Sequence, residues 1–338
     1  MNIVDIELAK ENMAGQFNTT LSIVVPVYNE QEVLPLFHHE LSTELARLPN
    51  EQVEIIYVND GSTDNSWQIM QTLSTQTAHI ECLNLSRNFG KEAALTAGLD
   101  HACGECVVIL DADLQDPPCL LPQMLAAWRQ GADVVNMKRG IRHDESKIKL
   151  FCASTYYWLL DHLSDVPIER DVGDFRLLSR RMVDHIKQLP ERNRYMKGIM
   201  SWPGFKQTTI TFDRPGRAAG ETKWSFLELV RLGLSGITAF SVRPLKMASW
   251  LGGAISLVAF FYGLWVMFKT LVFGEAVAGY PTIVLIQLFL GGIQLLTIGI
   301  LGEYVGRVFI ESKKRPIYLL MDVESSAQAI PSEMQQHG

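Results

Sequence analysis

Two carboxylates one residue apart, Asp111 and Asp113, stand directly after the apolar run Val107-Val-Ile-Leu110. Charged groups at the end of an apolar strand need compensation. A hard cation supplies it: Mg²⁺ is commonly held by one or two carboxylates together with substrate phosphates. A solvated turn is the plain alternative, but the following Leu114-Gln115-Asp116-Pro117-Pro118 favours a Mg²⁺ or Mn²⁺ site, with Gln115 offering a further oxygen. Asp60 ends a second apolar run, Val53-Glu-Ile-Ile-Tyr-Val58. There a carboxylate can accept hydrogen bonds from a nucleobase or ribose. It can also cap a helix, a role open equally to Ser62 or Asp64. The chain has no GxGxxG and no GxxxxGK[ST], which disfavours a dinucleotide or P-loop site.

These residues need a scaffold that brings strand ends together. Apolar runs at 21–26, 53–58, 80–85, 107–110 and 133–137 alternate with helical patterns at 31–48, 66–75, 91–102 and 120–130. Continuous apolar strands between helices predict a mainly parallel, doubly wound α/β sheet. Such sheets bind ligands beyond the carboxyl ends of their strands. Tyr28-Asn29-Glu30, Asn59-Asp60 and Asp111/Asp113 all fall at such ends.

Composition divides the chain further. Residues 247–302 contain only two charges, Lys269 and Glu275, against 23 % charged residues elsewhere. Uncharged runs at 247–268 and 276–302 are each long enough to cross a bilayer. Arg243 and Lys246 precede them, and Arg307, Lys313, Lys314 and Arg315 follow, so the positive-inside rule places both termini in the cytoplasm. Met1–Thr20 lacks signal-peptide character, and the polar stretch 322–338 is expected to be disordered. The five cysteines are expected to be reduced, and Cys103-Gly-Glu-Cys106 is a lone pair without a partner at zinc spacing. Residues 1–137 carry a net charge of −14 and residues 138–231 a net charge of +6. The basic stretch therefore suits lipid headgroups or a phosphate-bearing lipid, and no feature points to nucleic acid.

The stretches 24–30 (VVPVYNE), 58–64 (VNDGSTD) and 109–118 (ILDADLQDPP) together resemble glycosyltransferase family 2. Within that family the chain is most similar to polyprenyl-phosphate glycosyltransferases of the bactoprenol glucosyltransferase and dolichol-phosphate mannose synthase types. Supporting stretches are 85–91 (LSRNFGK), 173–180 (GDFRLLSR), 220–226 (GETKWSF) and 301–307 (LGEYVGR). Asn59 departs from the aspartate common there, and the QxxRW element of processive synthases is absent. The resemblance covers about residues 20–318.

It implies a GT-A, Rossmann-like catalytic domain at 21–223 behind an N-terminal segment (1–20). An amphipathic interfacial region (224–246), two transmembrane helices (247–306) and a cytoplasmic tail (307–338) follow. It also implies a nucleotide-sugar donor, with Pro26, Tyr28, Glu30, Asp60 and Asp111 around the nucleotide, and Asp111, Asp113 and Gln115 holding Mg²⁺ or Mn²⁺. Lys91 faces phosphate in this reading, or caps a solvated helix face. Asp174 corresponds to a reaction-centre aspartate and joins Asp113 as a catalytic candidate; an N-cap or an ion pair with Arg176 or Arg180 is its structural alternative.

The implied acceptor is a polyprenyl phosphate, namely undecaprenyl phosphate at a bacterial inner membrane. Its second pKa lies near 6, so at neutral pH it is largely a dianion needing little proton removal, which leaves Asp174 as either base or orienting group. A phosphate nucleophile calls for cationic clamps, and Arg139, Lys147, Arg214, Arg217 and Lys223 are the candidates. The expected reaction is an inverting transfer of glucose from UDP-glucose, giving a lipid-linked sugar for cell-surface glycan such as the O-antigen of lipopolysaccharide. Mannose, N-acetylglucosamine or an aminoarabinose derivative are alternatives, as is a non-catalytic nucleotide-sugar binding protein. Similar two-span enzymes can form tetramers, which leaves a homotetramer open.

Overall fold

The computed structural model describes residues 19–140, 172–192, 194–213, 243–273 and 280–326. Within them run the strands β1 (Leu21–Val27), β2 (Val53–Asn59), β3 (Ile80–Leu85), β4 (Cys106–Ile109), β5 (Val134–Arg139), β6 (Val172–Ser179), β7 (Gln207–Phe212) and β8 (Leu320–Ser325). They form one sheet in the order β7-β5-β6-β4-β1-β2-β3-β8. The centre, β4-β1-β2-β3, is parallel, as is β5 with β7, whereas β6 and β8 run antiparallel to their neighbours.

The central strands are mainly apolar because both faces are covered. Helices α1 (Leu34–Leu45), α2 (Ser66–Gln76) and α4 (Leu121–Arg129) give Phe37, Leu41, Met70, Met124 and Leu125 to the core that packs on Leu21, Ile23, Val25 and Tyr57. Helix α3 (Lys91–His101) lies against β1 and β2 and also contacts α5 (Arg180–Gln188), which in turn meets α6 (Met196–Ser201). Alanine and glycine let α3 approach closely. A Cβ on Gly98 would come within 2.2 Å of Val24 Cγ1. Gly98→Ala is therefore expected to destabilise the sheet and its helices by about 2 kcal/mol, the usual scale of overpacking, visible as a lowered thermal midpoint; wild-type stability would mean that α3 sits farther from β1.

Sheet order explains where a site can form. From β1 the chain crosses to β2 on one side, while β4 lies on the other, which makes a topological switch point between β1 and β4. Pairing with β4 ends at Val24, so Pro26 sits where β1 has lost that neighbour. There a residue without an N–H is tolerated. The loops after β1, β2, β3 and β4 open at this edge. The antiparallel β6 starts at the same edge, because Arg176 pairs with Ile109 and Gly173-Asp174 lie beyond it.

The polar composition of residues 322–338 predicts disorder, and the structure corrects this at the start of that stretch. Leu320–Ser325 pairs with β3, from Glu81↔Ser325 to Leu85↔Leu320. Without it, the buried strand β3 would leave one row of backbone groups unpaired.

The chain divides into two compact units, one of Met1–Ala153, Pro167–Ser225 and Arg315–Gly338, the other of Ser154–Val166 and Phe226–Lys314. The second unit holds α7 (Arg243–Phe273) and α8 (Tyr280–Ser312), which pack on each other. At 1.5 Å per residue they are about 46 and 50 Å long. Among the described residues one stretch, Phe289–Ser312, is long and apolar enough to cross a membrane, and Ala248–Tyr262 is a shorter apolar stretch. Large apolar side chains point outward along both helices, including Trp250 at 80 % exposure and Leu295 at 72 %. Of the expected interfacial region 224–246, residues 224–242 lie outside the described residues, and Arg243–Lys246 form the start of α7.

Candidate active site

Lys91 is the first residue of α3, where a cation opposes the positive end of the helix dipole. Its placement is explained by what it touches. The ammonium lies 2.6 Å from Asp111 Oδ1 and 2.7 Å from Asp174 Oδ2. Asp111 comes from the loop after β4 and Asp174 from the start of β6, so a single side chain joins three elements at the sheet edge. Burial would lower the Lys91 pKa, but Asp111 and Asp174 raise it well above the ordinary lysine value. Burial alone would push the Asp174 carboxyl up; Lys91 and Lys197 reverse that and hold it well below the usual carboxylate range. Asp174 is thus an ionised, weakly basic carboxylate at neutral pH; it lies in β6 and caps no helix, and its ion pair is with Lys91, with Arg176 adding to the positive field.

More cations surround it than the sequence reading named. Lys197, on α6, is pushed down by burial and feels Asp174, Arg176, Lys91 and Arg139. Arg176, 2 % exposed, donates through Nε to Gly173 O at 3.1 Å. Of the five expected phosphate clamps, Arg139 is here: a Cβ on Gly173 would stand 3.1 Å from its guanidinium. Lys147, Arg214, Arg217 and Lys223 lie outside the described residues. The signal available for Lys91 was a lysine straight after a glycine at a helix start. Lys197 carries no local signal, because only the tertiary fold sets α6 beside β6.

Glu92 ties this wall together. Its Oε2 accepts the Met196 backbone N–H at 3.0 Å, linking α3 to the first residue of α6. Burial, then the neighbouring Asp174, push its carboxyl up to about 7. A raised carboxyl pKa favours the fold while the group stays protonated, a contribution lost as pH rises from the unfolded value near 4.5 through about 7. Glu92→Gln keeps an acceptor for Met196 but removes the titration. The variant is expected to gain stability relative to wild type between pH 5 and 8, by at most about 3 kcal/mol. Thermal midpoints at the two pH values test this; a constant difference would contradict it.

On the loop after β2, Asp60 is 4 % exposed. Its carboxylate accepts the N–H of Phe89 at 2.7 Å and of Gly90 at 3.0 Å, so it braces the loop Ser86–Gly90. It does not cap α2, whose N-cap residue Asn65 has no side-chain cap; Asp64, one residue before the cap position, accepts the Ser66 N–H. The two loops approach closely through Gly61, whose φ is +64° and whose Cβ would meet Arg87 C and Asn88 N at 2.4 Å. Tyr28 is 42 % exposed at the end of β1, with Asn29 in the left-handed region at φ 54°. Pro26 is partly buried, and the Glu30 N–H donates to Ser66 Oγ at 2.9 Å.

The metal candidates stand on the loop after β4. Leu114 adopts φ 59°, a strained value for this residue type, directly after Asp113. The turn brings the Gln115 N–H to Asp113 Oδ1 at 3.0 Å. The Gln115 side chain is 7 % exposed and its Oε1 is buried without a hydrogen-bond partner. Among the described residues no three His, Cys, Asp or Glu side chains could hold a metal ion by themselves. Two carboxylates and a buried, unsatisfied amide oxygen nevertheless fit a hard divalent cation whose remaining positions are filled by phosphate oxygens. The CxxC does not: Cys106 is buried in β4 while Cys103 is exposed.

Residues 22–187 match the family described as "Glycosyl transferase family 2". The chain is 45 % identical over 304 residues to the "Prophage bactoprenol glucosyl transferase homolog" of Escherichia coli, covering 90 % of this chain and 99 % of the relative. It is 45 % identical over 300 residues to the "Bactoprenol glucosyl transferase" of Shigella phage SfV, covering 89 % and 97 %. Among solved structures, it is similar to glucosyl-3-phosphoglycerate synthase from Mycobacterium tuberculosis at 18 % identity and a TM-score of 0.41, covering 70 % of this chain and 82 % of that one. With nine-tenths of its length aligned to such relatives and its carboxylates gathered at the sheet's switch point, the chain belongs to glycosyltransferase family 2 and is a glycosyltransferase.

Proposed function

We propose that the enzyme transfers glucose from UDP-glucose to undecaprenyl phosphate at the cytoplasmic face of a bacterial inner membrane, with inversion at the anomeric carbon. The observation that carries this reading is the double ion pair of Lys91, which brings the donor-side Asp111 and the reaction-centre Asp174 to one ammonium. The names of the bactoprenol glucosyl transferases, 45 % identical over most of the chain, support the lipid acceptor and the sugar.

In this reading an acceptor phosphate oxygen attacks the anomeric carbon in line. The new C–O bond forms as the bond to the nucleotide diphosphate breaks, and the diphosphate leaves with the electron pair. Asp174, an ionised weak base held by Lys91, orients the reacting groups and need take no proton, because the phosphate arrives largely as a dianion. Lys91, Lys197 and Arg139 offset the negative charge of donor and acceptor phosphates. Asp111, Asp113 and Gln115 would hold Mg²⁺ or Mn²⁺, which when bound supplies charge neutralisation at the diphosphate.

The membrane arrangement follows from connectivity. Residues before α7 and after α8 lead to strands of the same sheet, β7 and β8. If α7 crosses a bilayer, α8 has to cross back, which supports two spans with the sheet on one side of it; the flanking basic residues Arg243, Lys246, Arg307, Lys313, Lys314 and Arg315 support the cytoplasm as that side. Outward apolar side chains on both helices suit contact with lipid.

Membranes containing the enzyme, incubated separately with UDP-glucose, UDP-N-acetylglucosamine, GDP-mannose and a UDP-aminoarabinose derivative, test the reading by mass spectrometry of the extracted lipid. A hexose on polyprenyl phosphate from UDP-glucose is expected. Product from another donor alone would replace the sugar, and no lipid product from any donor would overturn the function.

A further inference from the structure

We infer that the segment behind the second helix, Tyr318–Ser326, is a positioning element of the donor pocket as well as a cover for the sheet edge. Covering β3 requires only the backbone ladder. The structure has two further connections, and both lead inward to the loops around Asp60.

The first is through the backbone. Leu319 O accepts the N–H of Ser86 at 2.9 Å, at the point where β3 gives way to the loop Ser86–Gly90. That is the loop whose Phe89 and Gly90 amides Asp60 holds. The second is a chain of side chains. Asp322 Oδ2 accepts from Asn84 Nδ2 at 3.4 Å, and Asn84 Oδ1 accepts from Asn59 Nδ2 at 2.8 Å. Asn59 Oδ1 accepts the Ser62 N–H at 3.1 Å, and Ser62 Oγ accepts the Asn29 N–H at 3.0 Å. The chain thus runs from the tail across β3 and β2 to the loops after β2 and β1. Asn84 and Asn59 are 8 % and 3 % exposed, so the link between them is shielded from water, where the loss of one partner is felt by the next; Asp322, at the outer end, is exposed.

The tail is fastened at both ends. The Tyr318 hydroxyl donates to Asp100 Oδ2 at 3.0 Å, Gln71 Nε2 donates to Glu324 Oε1 at 2.6 Å, and the Ile80 N–H donates to Ser326 Oγ at 3.2 Å. This gives Asn59 a role for which an aspartate would be unsuited: its amide must donate to Asn84 and accept from Ser62 at once.

The inference rests on the donor-pocket reading, and the test separates the two. In the full-length enzyme in detergent, Asp322→Ala cuts the polar chain, Asp322→Asn keeps an acceptor, and Tyr318→Phe with Glu324→Ala loosens the tail elsewhere. Hydrogen exchange of the segments 60–63 and 86–90 is measured without ligand, UDP affinity by calorimetry, and KM for UDP-glucose against kcat. Asp322→Ala and the double variant are expected to exchange faster in both segments. They should bind UDP about fivefold more weakly, the scale of one ordinary hydrogen bond, and raise KM while kcat changes little. Asp322→Asn should restore the wild-type values. Unchanged exchange and unchanged UDP affinity in folded Asp322→Ala would overturn the inference and leave the tail as an edge cover. Faster exchange in a protein whose wild type binds no UDP would uphold the positioning of the loops and remove the donor-pocket reading instead.

Discussion

Lys91→Met is expected to lower sugar transfer by at least about a hundredfold, the scale of losing one electrostatic group that acts in a low-dielectric site. The substitution keeps the length of the side chain and removes the charge. Asp111 and Asp174 then face each other without the ammonium that lies 2.6 and 2.7 Å from them. The cost to folding should stay below the roughly 3–5 kcal/mol of a fully buried pair broken on one side. The side chain is 41 % exposed, and solvent screens part of what is lost. The substitution also shifts a titration. Burial favours the neutral form of Asp174, and Lys91 is the largest influence opposing it. Without Lys91 the carboxyl moves up, so the acid limb of the kcat/KM profile should move to higher pH. Near-wild-type turnover with an unmoved acid limb would show that the ion pairs are structural only.

Asp113→Ala is expected to abolish transfer, by about a thousandfold or more, while the protein still inserts into membranes and keeps its thermal midpoint within a few degrees. Asp113 itself is partly exposed and is not a member of the hydrophobic core, so little packing is lost. What is lost is one of two carboxylates beside a buried, unsatisfied Gln115 oxygen. Excess Mn²⁺ should restore part of the activity of Asp113→Asn, which keeps one oxygen ligand, and none of Asp113→Ala. Turnover of Asp113→Ala at the wild-type rate would remove the metal assignment. Persistence of the metal requirement in that variant would move the site elsewhere.

Much of this site was readable because the chemistry sits at punctuation points of the sequence. Apolar runs that stop at Asp60 and Asp111 mark strand ends, and strand ends in a parallel sheet share one edge. The DxD and its glutamine were therefore found together with their position. Asp174 was found only through family likeness, because Gly173-Asp-Phe-Arg176 has the alternating character of many strands. From the sequence its partner Lys91 either faces phosphate or caps a solvated helix face; the structure shows a third arrangement, an ion pair with Asp111 and Asp174, made by β6 running antiparallel beside β4. Nothing local could reveal that pairing, nor the meeting of Glu92 with Met196 across more than a hundred residues. The tail was misread for a related reason. Asp322 and Glu324 make the segment look solvated, yet in a strand at the sheet edge they reach Asn84 and Gln71. Composition registers the charges but not the partner strand.

The most direct measurement is a reconstitution. The purified full-length enzyme, placed in nanodiscs containing undecaprenyl phosphate, receives labelled UDP-glucose and Mg²⁺, with chelator in a parallel sample. Label should pass into an organic-extractable lipid that carries one hexose on the polyprenyl phosphate, in the anomeric configuration opposite to that of the donor. Chelator should stop it. Absence of lipid-linked label from a preparation that still binds UDP, or a product that retains the donor's configuration, would contradict single-step transfer at this site.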